Sequence, residues 1–153
     1  MKKRRKTSEH FDRDKLLNAE SGRFETGHGA VSAALVYPNR YGVGMSSLGY
    51  QVVRRRLQSA AGVERAFSLD DPASSFESAR PLGDFDLLAF SVAFELDYLN
   101  VLRTMEASSI ELLAARRRAD EPIILCGGAA LDVNPAPLRP FVDIIARFSG
   151  EQS

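Results

Sequence analysis

The chain is poor in the residues that build metal centres and nucleophilic triads: its 153 residues include one cysteine, two histidines and no tryptophan. A lone cysteine, Cys126, forms no internal disulfide and cannot by itself hold a zinc ion or an iron–sulfur cluster, each of which takes several ligands. No lysine follows Lys15, so a Gly-Lys-Ser/Thr phosphate loop is excluded and nucleoside triphosphate hydrolysis has no motif behind it. The longest apolar runs are about seven residues, against the ~20 that a membrane-spanning helix needs. With no apolar stretch near the start to act as a signal peptide, a cytoplasmic location is expected, with no membrane partner. Net charge is absent too, since 20 Lys and Arg balance 20 Asp and Glu.

What remains suffices for a folded domain. Hydrophobic residues make up 44% of the chain, enough for a sizeable core, whereas disordered chains combine low hydrophobicity with high net charge. The charges are unevenly spread: residues 1–30 hold eight basic side chains against five acidic ones. The run from Lys2 to Lys6 lacks interleaved aromatics and makes a weak nucleic-acid footprint, so it reads as a solvated end. Residues 1–29 form a basic, flexible lead-in with one short helix around 12–19, residues 30–148 the domain proper, and residues 149–153 a tail.

Within the domain, near-continuous apolar and β-branched runs at 31–37, 63–67, 86–92, 122–126 and 142–147 predict strands buried on both faces. Helices alternate with them. Ser46 and Ser47 offer N-caps to a helix carrying Leu48, Val52, Val53, Leu57 and Ala60, which stops near Gly62. Leu96, Leu99, Leu102, Met105, Ile110 and Leu113 carry a longer one. Residues 39–45 and most of 68–83 read as loop, and 116–121 as a charged, exposed link. The expected fold is α/β, a three-layer sandwich around a five-stranded parallel sheet, flavodoxin-like or Rossmann-like, with right-handed crossovers.

Such sheets bind ligands outside the carboxyl ends of the strands, where strand order reverses. The loops concerned are 38–47, 93–96 and 127–134. Gly42-Val43-Gly44-Met45-Ser46-Ser47 begins like a dinucleotide fingerprint but lacks the third glycine, and either a tight turn or an anion contact accounts for it. Glu64 opens the second strand instead of closing it, so a ribose-binding carboxylate is not in place. Gly127 and Gly128 permit a close approach by backbone or by a flat ligand, or simply turn the chain. Glu95 and Asp97 follow the third strand and serve either as ligand acceptors or as caps for the next helix. Cys126 reads as a small buried hydrophobe and His10 and His28 as surface residues. No catalytic set and no metal site emerge.

The block Tyr37-Pro38-Asn39-Arg40-Tyr41-Gly42-Val43-Gly44-Met45-Ser46-Ser47-Leu48-Gly49-Tyr50-Gln51, with Phe90-Ser91-Val92-Ala93-Phe94-Glu95-Leu96-Asp97-Tyr98-Leu99-Asn100, Gly127-Gly128 and Asn134-Pro135, resembles the N-terminal region of a family of bacterial radical SAM proteins. The resemblance covers about residues 22–147. It implies a cobalamin-binding-like (B12) domain placed ahead of a radical SAM barrel, whose [4Fe–4S] cluster cleaves S-adenosylmethionine. The Cys-x3-Cys-x2-Cys cluster motif would lie downstream and is missing here, so cluster and S-adenosylmethionine enter only through a further domain or partner chain. The Asp-x-His-x-x-Gly motif for an axial histidine is also absent, which leaves cobalamin to bind without one or to have been lost. Phe148-Ser149-Gly150-Glu151-Gln152 replaces the Gly-Glu-Gly-Glu-like turn of the family, as in a fragment, a truncated product or a separately encoded domain.

On that resemblance, Asn39, Tyr41, Gly44, Ser46 and Ser47 surround an anionic or amide part of the ligand. Glu95 lies on a polar edge, while Gly127 and Gly128 line the approach of a planar ring. The implied role is an accessory domain that presents a corrinoid to the barrel. A cofactor-free interaction module of the same fold is the alternative, and a stand-alone nucleotide- or flavin-binding domain a more distant one.

Overall fold

The computed structural model describes residues 11–21 and 29–147. Five strands, β1 (Ser32–Tyr37), β2 (Gly62–Phe67), β3 (Leu87–Ser91), β4 (Ile123–Gly127) and β5 (Ile144–Ala146), form one sheet in the order β2-β1-β3-β4-β5. Every pairing is parallel. Strand order therefore reverses between β1 and β3, which makes the crevice above their carboxyl ends the switch point. Among the described residues the α-helices are α1 (Arg13–Ala19), α2 (Tyr41–Met45), α3 (Leu48–Gln58), α4 (Tyr98–Ala107) and α5 (Ala129–Val133).

The strands were legible because both of their faces are apolar, and each face builds its own core. Ala34, Val36, Leu88, Phe90, Ile124 and Cys126 pack with Tyr98, Val101 and Met105 of α4 and Leu131 of α5. On the other face Ala33, Leu35, Tyr37, Val63 and Phe67 pack with Tyr50 of α3 and Phe76. Cys126 lies wholly in the first core, where burial pushes its thiol up to about 12. A thiol-exchange reagent is expected to leave the folded protein unlabelled at neutral pH and to modify Cys126 at the rate of global unfolding, as stopped-flow absorbance in graded urea would measure.

Three local expectations change. Residues 39–45 are not all loop, for Val43 and Gly44 donate to the Arg40 carbonyl and close α2. The helix expected to reach Leu113 ends at Ala107, followed by Ser109 at φ 56°. There the Ile110 N–H bonds Met105 O and the Ser109 N–H bonds Glu106 O, the Schellman pairing, with serine where glycine usually sits. That turn carries Ile110 into the core. The link 116–121 is not wholly exposed: the Arg117 side chain is 4% exposed, paired with Asp143 and hydrogen-bonded to the Glu111, Leu112 and Phe141 carbonyls.

The helix expected around 12–19 forms as α1 and docks on the domain. Asp12 caps α1 by accepting from the Lys15 N–H. Phe11, Leu16 and Leu17 pack against the core of Tyr37, Phe67 and Phe76. Glu20 then reaches Arg65 through two bonds of 2.8 Å. His10 and His28 lie outside the described residues, as do residues 1–10 and the tail.

Candidate functional site

The carboxyl edge of the sheet is built from the segments leaving β1, β3 and β4. After β1, Pro38-Asn39 turns the chain, and the Asn39 side-chain carbonyl accepts from the Arg40 N–H at 2.8 Å. After β3 a 3-10 turn, Glu95–Asp97, leads into α4. Neither Glu95 nor Asp97 caps that helix through its side chain. Asp97 turns inward and is buried, its Oδ1 accepting from Asn39 Nδ2 and from Asn100 Nδ2, each at 3.2 Å. Asn100 Nδ2 also donates to the Pro38 carbonyl at 3.0 Å. These bonds tie the loop after β1 to the start of α4 and close the switch-point crevice with a polar bridge.

The bridge leaves Asp97 Oδ2 buried with no hydrogen-bond partner. A buried carboxylate oxygen without a donor is costly and needs a reason. Its negative charge is felt by the Tyr37 hydroxyl: burial first, then Asp97, raises that group's pKa, against a hydrogen bond with Ser47 that lowers it. Asp97→Ala is expected to leave Asn39 Nδ2 without its acceptor and Asn100 Nδ2 with Pro38 alone, at a cost of about 1–3 kcal/mol. Urea unfolding measures the loss, and faster hydrogen exchange at Arg40 and Val101 would locate it.

The anticipated site residues divide into two groups. Asn39, Ser46, Ser47 and Glu95 lie along the edge. Ser46 is exposed and donates to the Gly42 carbonyl at 2.7 Å; Ser47 caps α3 through the Tyr50 N–H; Glu95 is exposed. The others are engaged within the protein. The Tyr41 hydroxyl donates to Glu20 Oε1 at 2.5 Å, and its ring meets Phe67 and Phe76. Burial and that carboxylate push the hydroxyl up to about 12. Gly44 is buried, where a Cβ would meet the rings of Phe67 and Tyr37 at 2.8 and 3.0 Å. The open side of Gly127 faces the Ala146 carbonyl at 3.1 Å, and that of Gly128 faces the Val92 backbone. The space left by these three glycines is thus filled by the protein's own atoms.

Asp97 and Asn100 are the residues whose joint role was not foreseen. Their spacing of three on a helix start, opposite an Asn after the first strand, is the signal that could have paired them. Around the bridge the edge is apolar: Phe94 is 60% exposed, Leu96 91%, Leu99 61% and Val133 79%. The Tyr98 hydroxyl, bonded to the Ala130 and Asn134 carbonyls, holds the start of α4 against α5. No group of three or more metal-ligating side chains occurs among the described residues. No helix among them is long and apolar enough to cross a membrane.

Residues 52–153 match the family described as radical SAM proteins, N-terminal. No curated protein and no solved structure matches the chain.

Proposed function

The chain belongs to the family of radical SAM protein N-terminal regions, and from that premise we propose that it is an accessory domain turning the carboxyl edge of its sheet toward the radical chemistry, with a corrinoid seated flat on that edge. The observation that carries the reading is the exposed rim of Phe94, Leu96, Leu99 and Val133 around a closed polar bridge. Four large apolar side chains on one edge are surface that water disfavours and that a planar macrocycle or a facing barrel would cover.

The residues fit part of a corrinoid. Its flat ring matches the apolar rim, and its peripheral amides can donate to Glu95 and exchange hydrogen bonds with the Ser46 hydroxyl. Its nucleotide tail does not fit into the sheet, because Asn39, Asp97 and Asn100 bridge the crevice where a tail would enter. No histidine occurs among the described residues to serve as a lower ligand. When bound, a corrinoid supplies a cobalt centre for methyl or electron transfer. This chain's residues would orient the ring, exclude water from one face and hold the edge rigid through the Asp97 bridge. Cluster and S-adenosylmethionine would come from the radical SAM portion.

Titration of the purified protein with hydroxocobalamin, followed by absorbance and gel filtration, tests the proposal. Co-migration of corrinoid with the protein is expected, and Leu96→Asp combined with Phe94→Asp should raise Kd by about tenfold or more, as loss of one or two buried apolar side chains implies. Absence of co-migrating corrinoid at high-micromolar ligand removes the cofactor and leaves the second reading, a cofactor-free docking module using the same rim.

A further inference from the structure

The two faces of the sheet are covered unequally. The face bearing Val36, Phe90 and Ile124 lies beneath α4, α5 and residues 134–142. On the opposite face α3 covers β1 and reaches β3, where Ala89 is buried, α1 packs near β2, and the part formed by β4 and β5 is less covered. Alternation along β4 and the pairing of Leu125 with Ile144 put Ile123, Leu125, Ile144 and Ala146 on that face. Ile123 is 51% and Ile144 47% exposed. Between α3 and this surface runs a groove of about 180 Å³, lined by Leu35, Val53, Leu57, Ala89, Leu125 and Ala146.

We propose that this groove seats an amphipathic helix supplied by the polypeptide C-terminal to β5 in the radical SAM protein. Crossover handedness points to that source. α3, which links β1 leftward to β2, lies on the groove face, whereas the connections stepping rightward from β3 to β4 to β5 lie on the other. A right-handed return from β5 toward the middle of the sheet runs on the groove face. The described chain leaves β5 at Arg147, beside Ala146 on the groove wall. The width agrees as well: three strands about 4.8 Å apart span roughly 10 Å, the diameter of one helix. Arg56 also lines the groove, so the occupant carries an acidic residue on its flank.

The inference is independent of the carboxyl edge and is tested without it. Three fusions of the 153-residue chain are compared: a leucine- and alanine-faced helix of about 18 residues with glutamates on its flank placed after Ser153, an all-polar helix of equal length at the same place, and the apolar-faced helix placed before Met1. The first is expected to raise Tm by about 5 °C or more and to suppress the fluorescence of anilinonaphthalene sulfonate. Ile144→Lys should cancel both effects in the fusion while leaving the Tm of the unfused chain near its parent value. The N-terminal fusion should stabilise less, because its helix lacks the short tether to the groove. Equal stabilisation by the polar helix, or by the N-terminal fusion, overturns the proposal. So does a homodimer of the unfused chain that Ile144→Lys dissociates in sedimentation equilibrium, which would make a second copy the occupant.

Discussion

Replacing Arg65 with alanine is expected to lower stability by about 3–5 kcal/mol, the loss seen when one partner of a buried ion pair is removed. For a domain of this size that corresponds to roughly 6–20 °C in Tm. Arg65 is 1% exposed and is the hub of a buried cluster. Its guanidinium bonds both oxygens of Glu20 at 2.8 Å, its Nε bonds Glu77 Oε1 at 2.6 Å, and its own N–H bonds Glu77 Oε2 at 2.7 Å. Truncation leaves two carboxylates without their cation, and α1 loses its main polar anchor. Phe76, over which the guanidinium lies at 4.8 Å, loses a contact too.

The pH dependence arises in the same cluster. Burial alone would raise the Glu20 carboxyl, but the bonds from Arg65 and Tyr41 outweigh it and hold the group below its usual 4.5. A depressed folded pKa means stability present above 4.5 and lost as pH falls through the folded value. Glu77 behaves oppositely, because burial holds it above 4.5 despite Arg65. Its contribution is present at low pH and lost as pH rises through that raised value. Glu20 therefore contributes to the acid limb below 4.5 together with Asp86 and Glu121, whose carboxyls are also held low by hydrogen bonds, and Glu20→Gln is expected to weaken that limb. In Arg65→Ala the deficit relative to wild type should shrink on acidification, since protonation relieves both stranded carboxylates. Thermal melts across pH 3–7 measure this, and a deficit that grows with acid would contradict the account.

Gly128→Ala is the second large effect. Gly128 sits at φ +119° and ψ 171°, a region essentially reserved for glycine, and a Cβ there would overlap the Val92 carbonyl oxygen. Backbone strain alone costs about 1–3 kcal/mol. The overlap adds to it, because Val92 is fixed by its bonds to Gly127 and Ala130 and cannot move aside. Loss of the native near-ultraviolet spectrum or a fall in Tm of more than about 5 °C is expected. Gly42 provides the contrast. A Cβ there meets nothing within 4 Å, so Gly42→Ala should be neutral or stabilising by up to about 1 kcal/mol.

Sequence patterns reveal some of this architecture and hide the rest. The strands around Leu35, Ala89 and Ile124 were visible because the residues on both of their faces are apolar, and Ser47 was visible as a cap because it precedes a helical period. The end of α4 was hidden, because Ser109 adopts a backbone conformation that sequence would assign to glycine. The docking of α1 was hidden too: Glu20 and Arg65 lie far apart in sequence, and each alone resembles an ordinary surface charge. At the edge, Asn39 follows β1, Ser46 follows α2 and Glu95 follows β3. Asp97 could not be separated from a helix cap until its side chain was seen turning inward to Asn39 and Asn100. The glycines are the converse case, since Gly44, Gly127 and Gly128 suggested room for a ligand and instead accommodate Tyr37, Ala146 and Val92.

The central claim is that a corrin ring lies flat on the apolar rim while the bridged crevice refuses a nucleotide tail. Comparing cobinamide, a corrinoid without the tail, with hydroxocobalamin in parallel equilibrium dialysis tests it most directly. The account predicts binding of both, with Kd values within a few-fold of each other. Binding of neither, or of hydroxocobalamin alone, would contradict it.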